Sequence, residues 1–581
     1  MNSKSLLCVN LSAFVVLALI LFSSSSLLLA QSTNRQIGTQ YTVTADPVVS
    51  RPNEKPCVVK LFTGYQFAFF SDSVQTFNFT PPSDCSGPWE KVVFEADFSE
   101  NGGVQFDRTA SLYLGSTDIY FGTTPEPLAS ATNTWHIERD LTDYSALLMI
   151  PQQGTIVLAN CTTDCPAPYN TFLNGVFTVN AQLEFYPAKP DRWHQGQAQD
   201  VPDEILPLTQ SNGNGGYNLP ATLSSATDQL STSFTLPMNI ERIYLDVVSQ
   251  SQSGDEFWYT CVPNDVASEL ESCGNTGFRE TEVTVDGKPA GVAPVSPWIY
   301  TGGIDPYLWF PNPGVQTLDF VPYRVDITPF AGLLNDGNPH TVAMSVFNDN
   351  GYFSVTGSLL LFLDHGASHI SGALTKDTLT AAPSPVVTED LKVGSTITGT
   401  VKVSSNRSYV LSGYLNTSHG RVSTTIAQSL HFANDQSFDI TNTNYVQDIN
   451  QATDVSSKTT VAKSDGGGAI YTRDFHFPLL LNISQVVEKS GNIDQTTTAN
   501  QTYEVQSFGF GNGIAFASFV SNNGNHQDTL EFDSSFNLIG NSNQSASQHY
   551  VSADSDGLFY DCQIAAKNNS LTTVSRGCNQ P

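Results

Sequence analysis

A chain of 581 residues is longer than one hydrophobic core keeps growing, so two or three domains are expected and disorder is not. Charged residues make up only 14%, while Asn, Gln, Ser, Thr, Gly and aromatics are plentiful, which favours an all-β chain of strands, turns and polar loops. Lys plus Arg number 25 against 55 Asp plus Glu, and the resulting net charge of −30 repels nucleic acid and anionic membranes while leaving neutral, hydroxyl-rich partners open.

The first 30 residues carry one Lys, an apolar stretch and a small residue at Ala30, the layout of a signal peptide, with an uncleaved anchor helix as the competing reading. No later segment is apolar enough to span a bilayer, so a secreted or periplasmic protein without stable membrane association after cleavage is expected. Removing the leader removes Cys8 and leaves eight cysteines in four locally spaced couples. Of about 105 possible connectivities, the spacing favours Cys57 with Cys85, Cys161 with Cys165, Cys261 with Cys273, and Cys562 with Cys578. No His flanks these couples at ligand spacing, so no metal is expected, and nothing calls for a cofactor.

From residue 91 to 186 come short Val-, Phe- and Tyr-rich runs bounded by turn residues, including KVVFEADF, SLYLG, TIVLAN and GVFTVNAQLEFYP, all read as strands of a first domain spanning 36–190. GGVQFDRTASLYLG reads as one alternating strand, with Gln105 and Asp107 on one face and Phe106 and Arg108 on the other. The Pro-containing stretch 187–208 reads as a linker. A second β domain follows at 209–366, closing on TVAMSVFND and GYFSVTGSLLLFLD. A third, polar and rich in Ser, Thr and Asn, covers 380–581. WHIERDLTDYSALL (135–148) and YRVDITPFAGLL (323–334) share an order of strand, Asp, Thr, turn, aromatic and Leu-Leu, which suggests duplicated sandwiches with a ligand cleft between them.

Several acids stand where chemistry is possible. Asp107 either is a solvated strand-end residue or has a reason to interrupt the pattern. In SGDEFWYTC, Asp255 and Glu256 flank Phe257, Trp258 and Tyr259, which form either a sandwich core or an aromatic platform for sugar rings. Glu280 follows Arg279, as a surface pair or a functional acid, and Glu126 sits between prolines that would hold it still. YTGGIDPYLW combines Tyr300, two glycines, Asp305 and Trp309, where a ligand could approach the backbone or where a tight turn simply folds. His136, His194, His340 and His365 have no Ser or Cys partner at motif spacing, which argues against a nucleophilic triad.

VQFDRTASLYLGSTDIYFGTTPEP, WHIERDLTDYSALL, KPC (55–57), TPPSDC (80–85), DEFWY, FRE, YTGGIDPYLW, YRVDITPFAGLL and SLLLFLD together resemble the PNGase A family of peptide:N-glycanases, and the carboxyl-terminal segment is also similar. A weaker likeness reaches the PNGase F group. The resemblance implies two jelly-roll-like β-sandwiches of the PNGase F type plus a C-terminal β-rich domain. It also implies hydrolysis of the amide between asparagine and the first N-acetylglucosamine of N-glycosylated peptides and proteins, with Asp107 as the leading catalytic residue.

Asn275 and Asn160 stand where the PNGase F group has acids, so Glu256 or Glu280 is expected to supply a second catalytic carboxylate. Arg108, Glu126, Asp255, Trp258, Tyr259, Arg279, Tyr300, Asp305 and Trp309 are expected to bind substrate. The readings from other classes are a secreted glycan-binding lectin or adhesin, and a glycoside hydrolase with a carboxylate pair.

Overall fold

The computed structural model describes residues 42–126, 131–188, 200–511 and 513–578. The expected signal segment and half of the expected linker, residues 189–199, lie outside them. The described chain is built almost wholly of strands, as the composition requires.

The first eight strands are β1 (Cys57–Phe67), β2 (Val74–Phe79), β3 (Trp89–Glu100), β4 (Thr109–Leu114), β5 (Thr117–Thr123), β6 (Asn133–Asp140), β7 (Gln152–Leu158) and β8 (Phe177–Pro187). They form two four-stranded sheets, β1-β8-β3-β6 and β2-β7-β4-β5, around a core that includes Phe94, Tyr120, Ile156, Phe177 and Phe185. Alternating side chains on β8 bury Phe177, Val179, Ala181 and Leu183 on one face. The expected strand through QFDR begins only at Thr109, and residues 101–108 are irregular.

A second sandwich follows: β9 (Glu204–Pro207), β10 (Gln210–Ser211), β11 (Tyr217–Asn218), β12 (Ala221–Leu223), β13 (Leu230–Thr235), β14 (Ile240–Gln252), β15 (Glu280–Val285), β16 (Lys288–Pro294), β17 (Tyr323–Asp326), β18 (Pro339–Phe347) and β19 (Tyr352–Leu363). Its main sheets are β12-β19-β14-β17, with β9 added on β19, and β13-β18-β15-β16. Strand β9 thus comes from the stretch read as linker.

The paired motifs of the sequence are structurally equivalent. Asp140 accepts from the Thr142 N–H at 2.9 Å, and Asp326 accepts from the Thr328 N–H at 3.0 Å. Each threonine hydroxyl then accepts from the neighbouring central strand, at Val92 N–H and Ile243 N–H. These side-chain-capped turns end each strand in the same way.

The two sandwiches meet along β5. Its edge continues into the loop before β17, with Phe320 N–H donating to Phe121 O at 2.8 Å and Thr123 N–H to Thr317 O at 3.0 Å. Tyr120 adds a hydroxyl bond to Leu318 O at 2.7 Å. Beside this seam, Arg324 donates to Asp246 and Asp143, and Tyr144 donates to Asp246.

The third unit is a single eleven-stranded antiparallel sheet: β20 (Ser371–Asp377), β21 (Val386–Val393), β22 (Ile397–Thr417), β23 (Gly420–Ile440), β24 (Asn444–Lys463), β25 (Gly468–Val487), β26 (Ile493–Gly511), β27 (Ile514–Phe532), β28 (Leu538–Asp554), β29 (Phe559–Lys567) and β30 (Ser570–Val574). One face packs on the second sandwich through Leu411, Leu430, Phe432 and Leu479, and the other faces solvent. A cavity of about 870 Å³ lies on the solvent face, lined by residues such as Asn450, Asn482, Asn500 and Ser547.

Three expected disulfides form, Cys161–Cys165, Cys261–Cys273 and Cys562–Cys578. The fourth does not: Cys57 and Cys85 lie side by side as thiols, and burial with the Cys57 contact pushes the Cys85 thiol up to about 11.

Glu280 opens β15 with its side chain 1% exposed, paired to Arg407 of β22 at 7% exposure. Removing one partner of such a pair strands a buried charge, at a cost of about 3–5 kcal/mol. Arg407→Met is therefore expected to lower the thermal midpoint, and by more in alkaline than in acidic buffer, because acid neutralises the orphaned Glu280. Melting curves across pH check this, and a pH-independent change would contradict it.

Candidate active site

The loop between β16 and β17 reaches the sandwich seam at Thr301–Gly303. Thr301 Oγ1 accepts from the Glu126 N–H at 2.6 Å and donates to Thr124 O at 3.2 Å. One residue on, the Gly302 N–H donates to Asp107 Oδ2 at 2.8 Å. A Cβ on Gly302 would stand 2.5 Å from Glu126 Oε2 and 2.8 Å from Asp107 Oδ1, so both carboxylates close on a backbone that only glycine leaves open. Glu256, on the turn after β14, is the third acid, and its charge couples to Asp107.

Like charges held together in a partly dry site cannot all ionise. Burial and the Asp107 charge push Glu126 up to about 8. Burial, then Asp107, pushes Glu256 up to about 7. Burial also raises Asp107, but the Gly302 N–H and the Arg108 guanidinium oppose it. Tyr300, whose hydroxyl donates to Ser251 O at 2.6 Å, faces both Glu256 and Asp107. The arrangement can hold one carboxylate as a base beside acids that keep their protons near neutral pH.

Arg108 donates to Gln105 Oε1 at 2.6 Å and lies 5.7 Å from the Phe106 ring centre, while its Nε is buried without a hydrogen-bond partner. Phe106, Tyr169 and Phe172 form an exposed cluster of rings in edge contact, 5.8 to 6.5 Å apart. Sequence reading missed this surface, because Tyr169 and Phe172 come from a distant loop that follows the Cys161–Cys165 bridge.

The remaining sequence-derived candidates sit elsewhere. Asp255 and Arg279 are fully buried and pair with each other at 2.6 and 2.8 Å; Asp255 also accepts from Asn350 and Gly351 N–H, so the pair fastens loops and meets no ligand. Trp258 and Tyr259 are 0% exposed and pack in the core, Trp258 against Phe432. The platform expected there is therefore absent. Glu280, tied to Arg407, is a link between units and does not join the three acids. Tyr300 is 3% exposed, and Trp309, at 1%, packs against His526. Asp305 accepts from Tyr307 N–H at 2.9 Å; burial and Asp528 push it up to about 7, leaving it as a loop cap.

Asn160 is buried, donating to Phe67 O and Gly175 O, and Asn275 binds Asn348 O. Neither carries an acid's role. Among the described residues, Glu241, Asp364 and His419 could hold a metal, with ligand atoms within 4.8 Å of one another. They belong to the ends of β14 and β19 and the β22–β23 turn, not to the loops bearing the three acids. The cavity on the third sheet is likewise separate.

Residues 47–378 match the family model described as peptide N-acetyl-beta-D-glucosaminyl asparaginase amidase A, more than half of the chain. The chain belongs to this family. A peptide-N4-(N-acetyl-beta-glucosaminyl)asparagine amidase A from Prunus dulcis is 30% identical over 402 residues, covering 66% of this chain and 67% of that protein. PNGase F, a glycosylasparaginase from Flavobacterium meningosepticum, is 13% identical, with a TM-score of 0.35 over 53% of this chain and 96% of its own. PNGF-II gives 13% and 0.35 over 54% and 66%. Neither likeness bears on the site. Asp107, Glu126, Glu256 and Gly302 all fall inside the matched span.

A carboxyl raised in the folded state adds stability that is present below its unfolded value and lost as pH rises through its folded one. For Glu126 that loss runs from the ordinary carboxyl range, near 4.5, and is complete by about 8. Glu126→Gln is therefore expected to melt level with the parent at about pH 4 and above it at about pH 9. Calorimetry across that range checks it; a variant less stable at both ends would show that Glu126 is not held against a neighbouring charge.

Proposed function

We propose that this chain is a peptide:N-glycanase that hydrolyses the amide joining an asparagine side chain to the first N-acetylglucosamine of an N-linked glycan, leaving Asp and releasing the glycan as a glycosylamine. The convergence of Asp107 and Glu126 on the Gly302 backbone, with Glu256 near enough to feel the Asp107 charge, carries this reading, and membership of the amidase A family supports it.

Amides are weak electrophiles and poor leaving groups, so the reaction needs both an activated water and a proton for the departing nitrogen. Asp107 ionises first of the three, because Gly302 N–H and Arg108 favour its charged form, and it takes the proton from the attacking water. The hydroxide adds to the side-chain carbonyl carbon. Arg108, partly buried beside Asp107, offers donors to the oxygen where negative charge develops. The carbon–nitrogen bond then breaks as Glu126, still protonated near neutral pH, gives its proton to the nitrogen. Glu256 reinforces the split by discouraging a second ionisation nearby. The Phe106, Tyr169 and Phe172 rings offer apolar surface to a sugar face. Export fits this substrate, and three disulfides favour an oxidising compartment.

A glycopeptide incubated in heavy-oxygen water is expected to yield a peptide with Asp carrying one heavy oxygen, together with the intact glycan. Mass spectrometry reads both products. A peptide retaining one N-acetylglucosamine would mark a glycosidase instead, and binding without product a lectin. Asp107→Asn is expected to lower kcat by about 100-fold or more; full turnover in that variant would remove Asp107 from the mechanism.

A further inference from the structure

The packed face of the third sheet carries polar side chains where a sandwich core would carry apolar ones. Asn434, Gln436, Gln447, Gln501, Asn522, His526, Asp528, Gln544 and Gln548 are all buried at inward positions of β23, β24, β26, β27 and β28. Buried amides are costly unless each finds a partner, so the partners identify what the face is for.

For six of them, Asn434, Gln436, Gln447, Gln501, His526 and Gln544, they are main-chain carbonyls of the two loops that bear the site, while Asn522 and Gln548 pair with each other and with Asp46. On the Glu256 turn, Asn434 donates to Tyr259 O at 2.9 Å, Gln447 to Thr260 O at 3.1 Å and Gln436 to Cys261 O at 2.9 Å. On the Gly302 loop, Gln501 donates to Pro297 O at 2.8 Å, Gln495 to Ile304 O at 3.4 Å, and Gln544 to Phe310 O. These loops have little regular structure, so their carbonyls would otherwise go unpaired.

The strongest single link runs through His526. Its Nε2 lies 3.1 Å from Asn312 O, and its ring packs 4.7 Å from that of Trp309. Burial holds the imidazole neutral, with its value lowered to about 4. The Trp309 indole in turn donates to Gly303 O at 3.0 Å, next to the N–H that holds Asp107. Between these contacts sits Ile304 at φ +64°, a left-handed conformation that a β-branched residue keeps only when its surroundings impose it.

We infer that the third sheet is part of the catalytic apparatus: its buried amides and His526 are positioning residues that set the Gly302 and Glu256 loops, and through them Asp107. This rests on the assignment of Asp107 as the base. None of these side chains meets substrate. Asp107 itself is faced by Arg108, Glu126, Glu256 and Tyr300, and the third sheet acts on it only through the Gly302 N–H.

His526→Ala in the full chain tests the inference on a glycopeptide substrate, with Gln527→Ala, on the solvent face of the same strand, as control. The expected result is a fall in kcat of about 10- to 100-fold with KM little changed. The acid limb of the kcat/KM profile should also move up by about half a pH unit, because a loosened Gly302 N–H stabilises the Asp107 carboxylate less. His526→Gln, which keeps a donor for Asn312, should recover part of the loss. A fall in kcat with an unmoved acid limb would mean that His526 only maintains the fold, and unchanged kcat would mean that the loop sets itself; either overturns the inference. If His526→Ala does not fold, Gln447→Met asks the same at the Glu256 loop, where unaltered kcat and an unmoved alkaline limb overturn it. Asp107→Asn separates the two readings: full activity there removes the base, whatever His526 does.

Discussion

A single backbone hydrogen bond, from Gly302 N–H to Asp107, spans the seam between the two sandwiches, and the site's chemistry depends on it. It lowers the cost of an ionised carboxylate in a partly dry place, and in the proposed reaction it is what favours Asp107 as the base. Burial first, and then the charge this bond favours, push Glu126 up to about 8 and Glu256 up to about 7. The seam must be rigid for that to work, and the β5 edge bonds to the 317–320 loop, together with the Asp246, Arg324 and Tyr144 cluster, supply the rigidity.

Such a site is kept at the expense of the fold. Glu126 and Glu256 both face the Asp107 carboxyl, Arg108 has a buried nitrogen without a partner, and Ile304 is twisted into an unfavourable backbone region. The loops that carry these features cannot hold themselves in regular structure, and the eleven-stranded sheet compensates by giving side-chain donors to their carbonyls. Most of its polar inner face answers those loops, and the rest, at Asn522 and Gln548, answers Ala45 and Asp46.

Much of this was legible from residues alone. Period-two runs such as GVFTVNAQLEFYP and GYFSVTGSLLLFLD became β8 and β19, and the Asp-Thr turns repeated at 140–142 and 326–328 proved to be matching caps. Asp107, Glu126 and Glu256 all stand out in the sequence itself. What sequence could not show was which acids share a space. Asp255 and Glu280 sit in equally suggestive contexts, yet each has a buried arginine, one of them more than a hundred residues away. The DEFWY aromatics were ambiguous for the same reason: a core and a platform have the same composition, and only burial separates them. Residues 104–108 read as strand because their exposure does alternate, but main-chain pairing starts at Thr109. The amides of the third sheet belong to a stretch legible only as polar and rich in Ser, Thr and Asn, since a strand has two faces and its residue types do not say which one is covered.

The solvent face of that sheet has a consequence of its own. In an extended strand, a residue and the one two places on project together, so any Asn-x-Ser or Asn-x-Thr triplet whose asparagine points outward also points its hydroxyl outward. Asn406, Asn416, Asn482 and Asn500 all stand on this side. Oligosaccharides attached there would coat the molecule's back, leaving the loops beneath the opposite face unobstructed.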